Sequence, residues 1–137
     1  MNGEMVLYGI ANMNKNLDII IDSMKLKDKI FEVKLLISEA ITNAFIHGNN
    51  CDDSKAITVS WELHRGNLCI KVTDCGGNKG DFCFSREKDQ VDVLAENGRG
   101  LFIIYEYSDE VRFEDNTIIQ RKAVERKDNL YRVLFIC

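Results

Sequence analysis

The sequence predicts an α+β domain: a two-layer sandwich in which helices cover one face of a mixed, mostly antiparallel sheet. Three patterns lead there. Apolar residues recur at the helical period from Lys15 to Lys25 and again from Ile30 to Ala44. Ala56 to Leu63 and Leu68 to Thr73 alternate apolar with polar around an Arg65-Gly66-Asn67 turn, as an antiparallel hairpin does. More strand-like runs follow towards the C-terminus, so helices and strands are segregated along the chain.

In order, Met5 to Ala11 is short and apolar and reads as a strand. Asn14 stands where it can cap a helix from Lys15 to about Lys25, with Leu17, Ile20, Ile21 and Met24 on one face. Asp28 is the candidate cap of the next helix, whose apolar face is Ile30, Val33, Ile37, Ala40, Ile41 and Ala44. Glu39, Asn43 and His47, spaced four apart, stack along one edge of that face, and Gly48 supplies a left-handed stop. The hairpin ends in Asp74-Cys75-Gly76-Gly77-Asn78-Lys79-Gly80, where glycines break the strand. Asp81 to Asn97 is charged and weakly periodic, a long loop of the kind that serves function. Gly98-Arg99-Gly100 opens an apolar helix through Tyr105. Asp109 to Phe113, Thr117 to Val124 and Leu130 to Ile136 read as strands, with a helical reading left open for Ile118 to Glu125.

Composition narrows the function. The 137 residues read as one domain, 1–137, with a net charge of −4. No basic track suited to a nucleic-acid backbone is visible, and the Arg121-Lys122 and Arg126-Lys127 run, broken by Glu125, reads as a solvated turn. The five cysteines form no C-x-x-C pair and there are two histidines, which argues against zinc. Reduced, mostly buried thiols are the better account. Neither a signal peptide nor an apolar run of membrane-spanning length is present, so a cytoplasmic protein is expected, away from any membrane.

Three segments carry chemistry. Glu39 and Asn43, one helical turn apart beside a buried face, can point into one pocket. Asp74 at a strand end can accept a hydrogen bond from an exocyclic amine such as that of adenine, and Gly76 lets a flat base lie close to the main chain. Gly98-Arg99-Gly100 presents the N–H groups and positive dipole end of a helix start to phosphate oxygens. Each has a plainer explanation: a wet helix face, an Asp-Gly turn, a chance G-x-G. No P-loop occurs. Together, however, the segments meet the separate needs of a Mg-ATP site for metal, base and phosphates, and the joint occurrence favours that site.

The segments SEAITNAFIHG (Ser38 to Gly48), VTDCGG (Val72 to Gly77) and GRGLFIIYEYSDEVRF (Gly98 to Phe113) resemble the ATP-binding fold shared by gyrase, histidine kinases and MutL, the Bergerat-type fold. Within that superfamily the chain is most similar to the bacterial anti-sigma factor serine/threonine kinases. The resemblance implies that Asn43 holds Mg²⁺ against the ATP phosphates and that Asp74 binds the adenine amino group, with Gly76 beside the ring. It also implies that Gly98, Arg99, Gly100 and Leu101 form the glycine turn under the phosphates, that Asp81 to Asn97 is the ATP lid, and that Glu39 is the general base. By the same resemblance the partners are a sigma factor and a STAS-type anti-sigma antagonist phosphorylated on serine or threonine, and the chain is a homodimer. Two departures stand out: Asn78 replaces a glycine frequent in the superfamily, and Leu130 to Ile136 lacks the threonine of its final strand.

At this length no transducer domain is expected, and the helix from Lys15 to Lys25 has no phosphoacceptor histidine. A stand-alone protein kinase is therefore the expectation. The alternative is an ATP-binding regulatory module that sequesters a partner without phosphoryl transfer, and Glu39 favours the kinase because sensing alone needs no base. An interaction domain that binds no nucleotide fits Asn43, Asp74 and the glycines poorly.

Overall fold

The computed structural model describes residues 1–76 and 98–124. Five strands, β1 (Asn2–Tyr8), β2 (Ala56–His64), β3 (Asn67–Thr73), β4 (Glu110–Glu114) and β5 (Thr117–Ala123), form one sheet in the order β1-β2-β3-β5-β4. Every neighbouring pair is antiparallel. Helices α1 (Met13–Met24), α2 (Ile30–Asn43) and α3 (Gly98–Tyr107) complete the described elements. This is the α+β sandwich expected.

Alternation along the strands builds the layer. Ile57, Val59 and Trp61 of β2 and Leu68, Ile70 and Val72 of β3 are buried on one face, as strand geometry requires of residues two apart. They meet Leu17, Ile20 and Met24 of α1 and Val33, Leu36, Ile37, Ala40 and Ile41 of α2 in a single core, which Ile104 of α3 joins. The β2–β3 turn closes between His64 and Asn67, with Arg65 at φ 52° and Gly66 at φ 78°. Two positive φ values in a two-residue loop match the twist of the strands they connect.

Several expectations shift. β1 starts earlier than Met5 and stops at Tyr8, because Gly9 takes φ 72° and turns the chain. Asn12, not Asn14, precedes α1, and no side chain caps it. Asp28 accepts from the Lys29 N–H at 2.8 Å but caps no turn of α2; Lys29 holds that position with φ 62°. Ile30 is exposed, and Leu36 takes its place in the buried face. Gly48 has no left-handed backbone; Asn50 (φ 54°) and Cys51 (φ 61°) do. Cys51 and Cys75 are exposed and Cys69 is half-buried, so the described thiols are not mostly buried. Residues 118–123 are strand, which closes the helical alternative. The expected lid, Asp81 to Asn97, and the expected strand, Leu130 to Ile136, lie outside the described residues. Among the described residues no helix is long and apolar enough to cross a membrane.

The basic pair in β5 is no solvated turn. Lys122 is 6% exposed and donates to the Tyr107 carbonyl at 2.6 Å and to Glu32 at 3.3 Å. A cation at the last carbonyls of α3 is favoured by the helix dipole, and Glu32 sits in the first turn of α2. At the other end of the pair, Glu39 of α2 lies beside Gly100 in the first turn of α3. α2 and α3 therefore run antiparallel, with Lys122 clasping one end.

Removing one member of a partly buried ion pair strands the other, at a cost of about 1–2 kcal/mol where water reaches one partner. Glu32→Ala should lower stability by that amount in urea unfolding. The same substitution in a Lys122→Met background should cost much less, which a double-mutant cycle reads directly.

Candidate functional site

α2 runs into a wide turn, Ala44–Gly48, in which the Asn49 N–H bonds back five residues to the Ala44 carbonyl at 2.9 Å. Such i→i+5 turns recur at functional sites. The widening takes His47 off the regular helical row of Glu39 and Asn43, yet Asn43, His47 and Gly48 still line one open cleft. Its opposite wall is Val72, Asp74 and Gly76 at the end of β3, with Phe113, Asn116, Thr117 and Ile118 beneath.

Gly48 serves this cleft by what it lacks. A Cβ there would overlap the Asp74 carboxylate, whose Oδ2 lies directly over the glycine. Asp74 then bends the chain locally: its Oδ1 accepts the Gly76 N–H at 2.6 Å, the Asx turn typical of aspartate. Gly76, at φ 69°, completes the bend.

Two amides hold this bend from outside. Asn49 is fully buried; its Oδ1 accepts the Cys75 N–H at 2.8 Å, while its Nδ2 donates to the Lys55 and Ala56 carbonyls, each at 3.2 Å. Asn116, in the β4–β5 turn, accepts the Asp74 N–H on its backbone oxygen at 3.0 Å and donates from Nδ2 to the Asp74 carbonyl. Thr73 and Thr117 share a hydroxyl bond at 2.8 Å one step further along the ladder.

Asn43, Asp74 and Gly76 are thus brought together. Glu39 lies one turn back along α2, its Oε1 3.5 Å from where a Cβ on Gly100 would stand. Partial burial pushes the Glu39 carboxyl up from its ordinary value. Gly98, Arg99 and Gly100 form the first turn of α3, and Leu101 packs against the core. The backbone N–H groups of that turn are the ones a helix leaves without intrahelical partners.

The donor set suits a hard cation held mostly by a ligand's phosphates. Among the described residues no cluster of three or more His, Cys, Asp or Glu could hold a metal ion, and Mg²⁺ commonly takes one or two protein oxygens beside phosphate oxygens. The Asn43 side-chain carbonyl can supply such an oxygen.

Sequence reasoning missed Asn49, Asn116 and Thr117. Thr117, at the start of β5, lines the cleft. Its signal was the Asp115-Asn116 turn immediately before an apolar run. Asn49 and Asn116 gave no such signal, since their partners lie 26 and 42 residues away.

Residues 22–122 match the family model of the histidine kinase-like ATPase domain, a span that contains every residue of the cleft. The chain is 31% identical over 110 residues to the anti-sigma F factor of Geobacillus stearothermophilus, covering 75% of each chain. It is 29% identical over 99 residues to the serine-protein kinase RsbW of Bacillus velezensis, covering 66% of this chain and 60% of that one. A shorter stretch of 49 residues is 37% identical to the anti-sigma F factor of Clostridium perfringens, 36% of this chain and 35% of that protein.

Gly48→Ala should displace Asp74 and cost about 1–3 kcal/mol in urea unfolding, as overpacking does. A second outcome follows from Glu39. Its folded pKa is raised, so the folded state binds the proton more tightly than the unfolded chain does. The resulting penalty is absent below the unfolded pKa and enters as pH rises through the folded one. Glu39→Gln should therefore raise the melting temperature at neutral pH, by on the order of 1–2 °C for a partly solvated group. That gain should vanish below about pH 4.

Proposed function

The chain belongs to the histidine kinase-like ATPase domain family, and within it to the anti-sigma factor kinases; from that premise we propose that it is an ATP-dependent protein serine/threonine kinase. Its substrate is a serine or threonine of a STAS-type anti-sigma antagonist. Its second partner is a sigma factor, held inactive by binding, and the working form is a homodimer.

The observation that supports this reading best is the approach of Glu39 to Gly100. It sets a carboxylate against the helix start that would receive the phosphates, one turn from Asn43 and on the same helix. In this reading the base lies against the Asp74–Gly76 bend, with Asp74 accepting from the adenine amine. The phosphates run past Asn43 to the backbone N–H groups of Gly98, Arg99, Gly100 and Leu101. Mg²⁺, which Asn43 would hold together with phosphate oxygens, would neutralise charge on the phosphates.

The chemical step is one displacement. The acceptor hydroxyl oxygen bonds to the γ-phosphorus, the bond from that phosphorus to the β–γ bridging oxygen breaks, and ADP leaves with the electron pair. The hydroxyl proton passes to a Glu39 carboxylate oxygen. Burial that raises the Glu39 pKa strengthens it as a base. An acceptor bound in line then needs positioning more than covalent help.

Mg-ATP should raise the melting temperature of the protein, and Asn43→Ala should abolish the rise. Glu39→Ala should keep that rise while phosphorylation of the antagonist falls by about 10²–10⁴-fold, as loss of a general base does. Transfer at the normal rate in Glu39→Ala refutes the base assignment; binding without transfer in the wild type favours the sequestering module. Gly100→Ala is a steric control, because a Cβ there meets Glu39 only at ordinary contact distance. It should leave the fold intact and weaken Mg-ATP, since the new methyl stands where phosphate oxygens approach.

A further inference from the structure

We propose that Asn116 is a positioning residue that sets selectivity for the base of the nucleotide, a step that rests on the cleft being the nucleotide site. The Asp74–Gly76 bend carries the carboxylate meant to meet the base, yet two of its three residues are fixed by Asn116. The backbone of Asn116 accepts from Asp74 N–H at 3.0 Å, and its Nδ2 donates to the Asp74 carbonyl. Its side chain also lies against Gly76: a Cβ on that glycine would come within 3.0–3.1 Å of Asn116 Cβ, Cγ and Nδ2. The amide therefore touches both ends of the bend and lines the same cleft.

The geometry gives this amide a consequence beyond stability. The orientation of the Asp74 carboxylate follows from the plane of the bend, because Oδ1 is tied to Gly76 N–H within it. Oδ2, over Gly48, is placed by the same tie. Loss of the Asn116 amide frees the Asp74 carbonyl to rotate and removes part of the surface against which Gly76 packs, so the bend and its carboxylate turn together. The backbone bond from Asp74 N–H to Asn116 survives any substitution, which keeps the β3–β5 ladder in register.

A hydrogen bond between base and carboxylate is sensitive to a small rotation, whereas phosphate contacts at α3 are remote from it. Asn116 should thus affect recognition of a 6-amino group and leave recognition of sugar and phosphates alone. The test is calorimetric titration of the full chain with Mg-ATP and with the Mg complex of purine riboside triphosphate, which carries hydrogen in place of the amine. The wild type should prefer ATP. In Asn116→Ala that preference should fall roughly five- to tenfold, the size of one hydrogen bond, with purine riboside triphosphate bound within about twofold of the wild type. Asn116→Leu, close in size, uncharged and lacking the donor, should behave alike and serves if the alanine variant folds poorly. Equal weakening of both ligands in the variants marks a structural role and overturns the proposal. A wild type that binds both ligands equally overturns it through Asp74, and a wild type that binds neither defeats the nucleotide reading itself.

Discussion

The Asp74 carboxylate lies where a side chain at Gly48 would stand. That packing joins the end of β3 to the wide turn after α2, two segments with no shared secondary structure. Ala44 and Phe45 anchor the turn to the core, but the contact between the two segments, Asp74 over Gly48, is polar. Amides brace it: Asn49 ties the turn to the Cys75 N–H and to the carbonyls leading into β2, and Asn116 ties the bend to the β4–β5 turn. A buried amide with every partner met specifies one geometry, and one with a partner missing costs more than the bond it lost. The cleft is therefore held open by polar contacts on a frame set by apolar ones.

That frame centres on α2. Val33, Leu36, Ile37, Ala40 and Ile41 are fully buried against the sheet, so the helix has little freedom to roll. Two polar side chains of β5 refine its place. Gln120 reaches the Leu36 carbonyl at 3.4 Å, and Lys122 grips Glu32 at the first turn. Glu39 and Asn43 ride on the free edge of an element fixed on its other sides, the arrangement that lets a site keep its geometry. The antiparallel pairing with α3 sets the glycine turn beside Glu39, and Lys122 fixes that pairing from the far end.

What could be read from residue order alone follows from the range of the forces involved. α1 was legible to the residue on its buried face, since Leu17, Ile20, Ile21 and Met24 repeat at the helical period. The β2–β3 hairpin was legible because alternation and an Arg-Gly turn are local. Helix starts were not: Lys29 in a left-handed backbone carries no capping chemistry for a pattern to find. Lys122 looked solvated because its neighbours are charged, and its partners come from α2 and α3. β5 looked half helical because Ile118, Ile119 and Gln120 are all buried, which blurs the alternation of a strand. The three segments of the candidate site stood out through their own glycines and carboxylates. The amides that assemble them did not, because an asparagine far from its partner in sequence resembles any other polar residue.

One coupling follows from placing Glu39 beside the first turn of α3. Burial already raises its pKa. A triphosphate at that turn would bring negative charge close to the carboxylate, and like charge raises a carboxyl pKa further. Proton affinity of the base and occupancy of the phosphate site then rise together, and linkage makes the effect mutual: a protonated Glu39 would favour the anion as the anion favours the proton. Were Glu39 the base, it would be weakest in the empty protein and strongest with the triphosphate in place. The dipole of α3 opposes part of that shift by stabilising anions at its start. If phosphates bind at that turn, the distance from Glu39 to it would set the strength of this coupling, and that distance is fixed by the packing of α2 against α3.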